Sequence, residues 1–374
     1  MSSSTTTALS RQPLREVLEG VADPGDRRGV RHALTAVLCL AVVGVLAGCR
    51  TLGAMREHVA DLEPADLGAL GPGEGRALPS ESTIRRVLER VNADDLDARV
   101  SSWLRTRVGA IGGRRVIAVD GKTMRGARGA GERAPHLPAA LDQAGGVVVG
   151  QRRVADKSNE IPALRDLLEP LDLDGAVITA DAMHTRRGTA EWIISRGAHY
   201  VLTVKGNQPS LKRELERLPW KDVPAVSVPD GSHGRRVRRT IKAVEAPAWI
   251  DFPGAAQVIR IRRTKTVRGR KHVEVVHLIC SLPMTDAPPE LVASWARGHW
   301  AIENRLHWIR DVVFDEDRHR LRTGNAPQVM AALRNLAISL IRLAHGPAAS
   351  IAATTRAMAR RPRRAIDLIT RPPR

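Results

Sequence analysis

Apolar positions recur at helical spacing at both ends of the chain and gather into short unbroken runs in between. Ala33 to Cys49 is almost wholly apolar and reads as a buried helix, and Leu52, Met55 and Val59 carry a further helix over Thr51 to Asp61. Interspersed glycines and alanines, with Arg50 directly after the run, favour a core helix over a membrane span. Pro64, Gly71-Pro72-Gly73, Gly75 and Pro79 break the next stretch. Ser80 then caps a short helix with an apolar side (Ile84, Val87, Leu88) and a basic side (Arg85, Arg86). That makeup suits the second helix of a helix-turn-helix, although an ordinary capped surface helix shares it.

From Arg114 the period changes. Val116 to Val119 reads as a buried strand ending in Asp120, Ala176 to Ala180 as another ending in Asp181, and His199 to Val204 as a third running into Lys205. His136 to Gln143 and Val147 to Val154 flank Ala144-Gly145-Gly146 as a hairpin. Helices are expected from Lys157-Ser158-Asn159-Glu160 through Leu168 and over Thr185 to Arg196. Pro219 to Met284 alternates arginine with β-branched residues, which suggests a sheet with one charged face. After Pro288-Pro289 a helical region places Ile302, Leu306, Ile309 and Val313 on one apolar stripe. His299, Glu303, His307 and Arg310 share the face beside it. One more helix starts at Ala326, and the end is rich in Arg and Pro.

These patterns divide the chain into a disordered Ser/Thr tail (1–10), a helical basic region (11–110), an α/β region (111–345) with a β-rich insertion at about 219–285, and a basic tail (346–374). Charge sharpens the picture: 59 Lys and Arg against 40 Asp and Glu leave +19, spread along the chain, so a polyanion such as nucleic acid is the expected partner. Cys39, Cys49 and Cys280 have neither metal-ligand nor redox spacing. Together with an N-terminus that lacks a secretory signal, they imply a reduced, cytoplasmic and nucleoid-associated protein. The Gly/Arg-rich stretch Thr123 to Pro135 does not have the spacing of a phosphate-cradling nucleotide loop.

Three carboxylates stand out by position. Asp120 and Asp181 each end a buried strand, and Glu303 lies on a late helix. The order strand with Asp, hairpin, helix, strand with Asp, helix, strand, insertion, helix with Glu matches the ribonuclease-H-like fold, a mixed sheet flanked by helices. There three acids converge at one edge of the sheet. Carboxylates without thiolates suit hard cations, Mg2+ or Mn2+. Two such ions about 3.5–4 Å apart support phosphodiester chemistry.

At this point a family resemblance enters. VIAVDGKTMRG, GQRRVADKSNEIPALRDLL, VITADAMHT, YVLTVKGNQ and RGHWAIENRLHWIRDVVFDEDRHRLR resemble insertion-sequence transposases of the ISAs type, the H-repeat-associated proteins, which are DDE transposases with a β-rich insertion before the final Glu. The first hundred residues, RRGVRHAL included, resemble the family's associated N-terminal domain. The resemblance implies that Asp120, Asp181 and Glu303 hold two divalent ions, nick transposon ends and transfer strands, in a protein that acts as a dimer on DNA. Related transposases carry a Tyr-Arg-Glu-Lys signature, where this chain has Ala296, His299, Glu303 and Arg310. Lys122, Lys205, Arg85, Arg86, His299, Trp300, His307 and Arg310 are the expected DNA contacts, with Asp311 and Asp317 as acidic neighbours. Tyr200 lies inside a strand, a poor place for a tyrosine nucleophile. The alternatives are a metal-dependent nuclease without strand transfer and a catalytically silent DNA-binding protein.

Overall fold

A computed structural model describes residues 11–25, 31–71, 77–129, 133–154, 160–232, 235–267 and 270–372. The expected tail at 1–10, the start of the RRGVRHAL run and the helix start at Lys157 lie outside the described residues. The chain forms two compact units. One comprises residues 1–109, 121–163 and 302–374, the other residues 110–120 and 164–301.

The first unit is mainly helical. Its helices are α1 (Leu14–Glu19), α2 (Leu34–Leu46), α3 (Leu52–Ala60), α4 (Pro64–Leu70), α5 (Glu81–Arg90) and α6 (Ala93–Arg105). The apolar run becomes α2, with every residue but Thr35 buried, and no helix of the described residues is long and apolar enough to cross a membrane. Caps set the boundaries as the sequence suggests: Thr51, Ser80 and Asn92 each accept a backbone N–H of the following turn with their side chains. The centre of this unit is a 20-residue helix, Ala326–His345, buried from Ala326 to Arg342. It packs on α2, α5 and α6. The hairpin is present as β2 (His136–Asp142) and β3 (Val148–Gln151), with Asp142 Oδ2 accepting Gly145 N at 2.6 Å in the turn. The segment read as a basic tail carries two more helices, Ile351–Arg360 and Arg363–Thr370, whose apolar sides are buried.

The second unit is built on the sheet. Strand β1 (Val116–Thr123) pairs parallel with β4 (Val177–Ala180), which pairs parallel with β5 (His199–Val204). Four antiparallel strands follow, β6 (Val226–Ser232), β7 (Arg235–Glu245), β8 (Gln257–Val267) and β9 (Arg270–Cys280), each paired with the next. Strand β9 pairs antiparallel with β5, Leu202 opposite Ile279. The strands expected as an insertion therefore extend the same sheet. Parallel strands covered on both faces read as continuous apolar runs, which is why β1, β4 and β5 were visible in the sequence. One face packs Val116, Val177, Val201, Ile259, Leu278 and Cys280 against Val292 and Trp295 of the helix Pro289–Ile302. The architecture is the mixed α/β, ribonuclease-H-like class expected.

A chain of buried polar side chains crosses the first unit. Glu316 accepts from Arg310 Nε at 2.9 Å and Arg334 Nη1 at 2.9 Å, and all three are buried. Arg310 NH1 reaches Asn335 Oδ1 at 3.5 Å, Asn335 donates to Gln151 Oε1 at 2.6 Å, and Gln151 donates to Asp97 at 3.2 Å. Burial pushes the Glu316 carboxyl up, but the guanidinium groups of Arg310 and Arg334 outweigh it and hold the pKa at about 2. At Asp97 burial wins over the amide donors of Gln328 and Gln151, and the pKa is pushed up to about 7. Replacing Glu316 by Gln leaves two guanidinium groups buried without a counter-charge. The expected result is a loss of about 3–5 kcal/mol in urea unfolding at pH 7. Because the Glu316 pKa is depressed, the wild-type advantage over the Gln variant is full above pH 4.5, its ordinary value, and falls away as pH drops towards about 2.

Candidate active site

Strand β1 ends its buried run at Asp120, which is half-buried, and its continuation reaches Lys122. Strand β4 delivers Asp181. Its Oδ1 accepts Ala182 N at 2.7 Å, capping the short 3-10 turn Ala182–His184, and pairs with Lys205 Nζ at 3.3 Å. Burial raises the Asp181 carboxyl, and the Ala182 N–H, the Lys205 ammonium and His299 together outweigh it, so the net shift is down. Asp181 is thus an anion at neutral pH, as a cation ligand must be.

His299 sits on the helix Pro289–Ile302, buried, with Nδ1 3.4 Å from Thr179 Oγ1. Burial lowers its pKa, opposed by the charges of Asp120 and Asp181, so both strand-end acids act on one imidazole. Neutral His299 is the form that prevails at pH 7.

Glu303 to His307 form a single π-helical turn, followed by the α-helix Trp308–Val312. Such turns insert one extra residue into a helix and recur at functional sites. The apolar stripe holds through it, with Ile302, Leu306 and Ile309 buried, while Glu303 is exposed. Glu303 and His307 each offer one ligand atom, within 4.8 Å of each other. A carboxylate and an imidazole are donors that suit a divalent cation.

The residues expected to contact DNA differ in exposure and in their partners. Arg310 is 0% exposed and committed to Glu316. Lys122 is buried, with Nζ 2.7 Å from Asp311 and 3.8 Å from Asp317. His299 and His307 are buried as well. A charge enclosed by its own counter-ions has no face left for a phosphate, and the sequence shows helical spacing but not the neighbours from distant segments. Arg85 pairs with Glu81 at 2.6 Å. Lys205 (60% exposed), Arg86 and Trp300 keep solvent-facing surface. Tyr200 is buried, its hydroxyl donating to Pro253 O at 2.7 Å.

Two residues that hold the site escaped the sequence reading: Glu316 and Arg334. Glu316 lies in the acidic run Asp315-Glu316-Asp317, where nothing in the pattern marks it as the buried member. Asp315 adopts φ 53°, the left-handed region, and this turn sends Glu316 inward while Asp317 stays near Lys122. Gly126 explains the last residue of the VIAVDGKTMRG run. A Cβ there would meet Asp317 O at 2.6 Å and His319 O at 2.7 Å, so only glycine lets this turn approach.

A family model described as Transposase DDE domain matches residues 111–340. The chain belongs to the DDE transposase family. A second model, DDE_Tnp_1-associated, matches residues 15–104. Among curated relatives, "Putative transposase YncI" of Escherichia coli O157:H7 is 31% identical over 352 residues, covering 89% of this chain and 88% of that one. "H repeat-associated putative transposase YhhI" of Escherichia coli strain K12 is 29% identical over 348 residues, covering 88% and 90%. A solved structure, a piggyBac transposase synaptic complex with hairpin DNA, aligns with a TM-score of 0.42 at 12% identity over 95% of this chain and 78% of that one. The transposase carries out DNA transposition, and its family implies a divalent metal and DNA as substrate.

The Lys205 pairing gives a direct test. In the metal-free protein, Lys205→Gln removes the cation beside Asp181, and the Asp181 carboxyl is expected to rise towards its ordinary value of 3.8 in an NMR titration. An unchanged titration would mean that the Ala182 N–H and His299 set it without Lys205.

Proposed function

We propose that Asp120, Asp181 and Glu303 are the catalytic acids of this transposase and hold Mg2+ or Mn2+, two ions in all, with His307 in reach of the same cations. The observation that carries the reading is the pair of strand-end acids Asp120 and Asp181, delivered by parallel strands in register and both acting on His299. The Glu303 and His307 ligand atoms, within 4.8 Å of each other, support the third member.

The reaction has two balanced steps. A water oxygen attacks a phosphorus at the transposon end, the P–O3′ bond breaks, and the 3′-oxygen leaves as a hydroxyl. That hydroxyl then attacks a second phosphodiester, forming one P–O bond and releasing one alcohol, so no high-energy cofactor is consumed. Divalent cations at the acids supply the positive charge that activates the attacking oxygen and steadies the leaving one. The protein's own part is to fix the carboxylates. The 3-10 turn after β4 clamps Asp181, and the packed stripe Ile302, Leu306 and Ile309 holds the Glu303 turn. Lys205, paired with Asp181 and largely exposed, is placed to meet a phosphate when DNA enters. The protein acts as a dimer on paired transposon ends.

Supercoiled plasmid carrying the element's end repeats, incubated with protein and Mg2+, is expected to be nicked and then to give strand-transfer products. Asp120→Ala, Asp181→Ala and Glu303→Ala should each reduce both by at least about a hundredfold. Nicking that survives any of the three substitutions removes that residue from the assignment. Nicking without joined products turns the reading to a plain nuclease.

A further inference from the structure

The turn that carries Glu303 is gripped from outside by two arginines. Arg305 lies inside the turn, half-buried, and its guanidinium donates to Gln143 O at 3.3 Å and to Pro347 O at 2.8 Å. Arg342, in the last turn of the helix Ala326–His345, is buried. It donates to Gly146 O at 2.5 Å and to Arg305 O, a backbone carbonyl of the Glu303 turn itself. Gln143 and Gly146 belong to the turn of the β2–β3 hairpin, which is braced in its own right. Gly146 N donates to Asp142 O at 2.9 Å, and Val148 N donates to Ser339 Oγ of the same long helix at 3.1 Å. Gly146 takes φ 69°, and a Cβ there would stand 3.0 Å from Arg342 Cδ and 3.2 Å from Arg305 Nη2. Both guanidinium groups therefore lie directly on the hairpin turn.

We infer that Arg305 and Arg342 are positioning residues for Glu303, which hold its turn in the π register against the hairpin. That role rests on the reading of Glu303 as a catalytic acid. An isolated helix favours α spacing, and a π turn persists where contacts outside the helix select it. The extra residue of the turn amounts to about 100° of rotation about the axis, so closure to α spacing would swing Glu303 by up to that angle relative to the helix Trp308–Val312. All four bonds of the two arginines end on backbone carbonyls. Among the described residues neither makes an ion pair, and Asp142 is the acid whose charge reaches Arg305. Burial lowers both guanidinium pKa values, Arg342 to about 10 with the charge of Arg305 adding to the effect. Two adjacent cations spent on carbonyls are a costly way to stabilise a fold. What they supply is geometry, because each planar fork joins carbonyls of two different segments at a fixed spacing. The Arg310–Glu316–Arg334 cluster grips the helix after the turn, whereas Arg342 grips the backbone of the turn itself.

The test is Mn2+ binding by the DNA-free, full-length protein, followed by electron paramagnetic resonance, with near-ultraviolet circular dichroism to confirm the fold. Arg305→Gln alters a half-buried side chain and is expected to weaken Mn2+ binding about tenfold, as loss of a group that orients a metal ligand does. It should also lower kcat for plasmid nicking by about tenfold or more while KM for DNA stays at the wild-type value. Arg305→Lys, which keeps a single donor group, should fall between the Gln variant and the wild type, and Arg342→Lys should weaken Mn2+ binding in the same direction. Because Arg305 acts through Glu303, adding Arg305→Gln to Glu303→Gln should cost no further Mn2+ affinity. Wild-type Mn2+ affinity in both Arg305→Gln and Arg342→Lys overturns the inference and leaves Glu303 its role. Losses that multiply in the double variant do the same, since Arg305 would then act elsewhere. Wild-type Mn2+ affinity in Glu303→Gln overturns the positioning role and the assignment of Glu303 together.

Discussion

The arrangement around Glu303 depends on one buried ion cluster, Arg310–Glu316–Arg334. Two arginines on one carboxylate leave a net positive charge in the core, a state tolerated only when every donor has an acceptor. Asn335 supplies one acceptor, and the ring of His319 lies 2.8 Å from Arg334 NH2. The cluster fixes the helix Trp308–Val312 against the long central helix, and through it the π turn that presents Glu303 and His307. Lys122 fastens the same region to the end of β1 through Asp311. An exposed acid is held in place here by buried charges seven, thirteen and thirty-one residues further along the chain.

The sheet imposes a second constraint. Parallel strands place their carboxyl ends on one side, so Asp120 and Asp181, at the ends of β1 and β4 in register from Val116–Val177 to Val119–Ala180, are delivered together by hydrogen bonding alone. Different local devices then treat the two acids differently. Asp181 is capped by the Ala182 N–H and paired with Lys205, while Asp120 stands half-buried at the end of its buried run.

Much of this was legible in the chain. The strands, the hairpin, the buried helix α2 and the three acids follow from apolar runs and turn residues, because parallel strands and core helices leave unbroken apolar signatures. The charged residues were harder. Arg310, Lys122, His299 and His307 share a helix face or strand end with the acids, and spacing alone cannot separate a ligand or DNA contact from a buried partner. That distinction depends on Glu316, Asp311 and Thr179, which come from elsewhere in the sequence. The strands β6–β9 read as an insertion because their Arg-rich alternation differs from the core strands, yet β9 pairs with β5 through backbone groups that carry no side-chain signature.

The central claim is that Asp120 and Glu303 share a cation. Titrating Mn2+ into the DNA-free protein by electron paramagnetic resonance tests it without relying on catalysis. Saturable binding is predicted for the wild type, weakened at least about tenfold by Asp120→Asn and likewise by Glu303→Gln. Equal Mn2+ affinity in the wild type and both variants would contradict it.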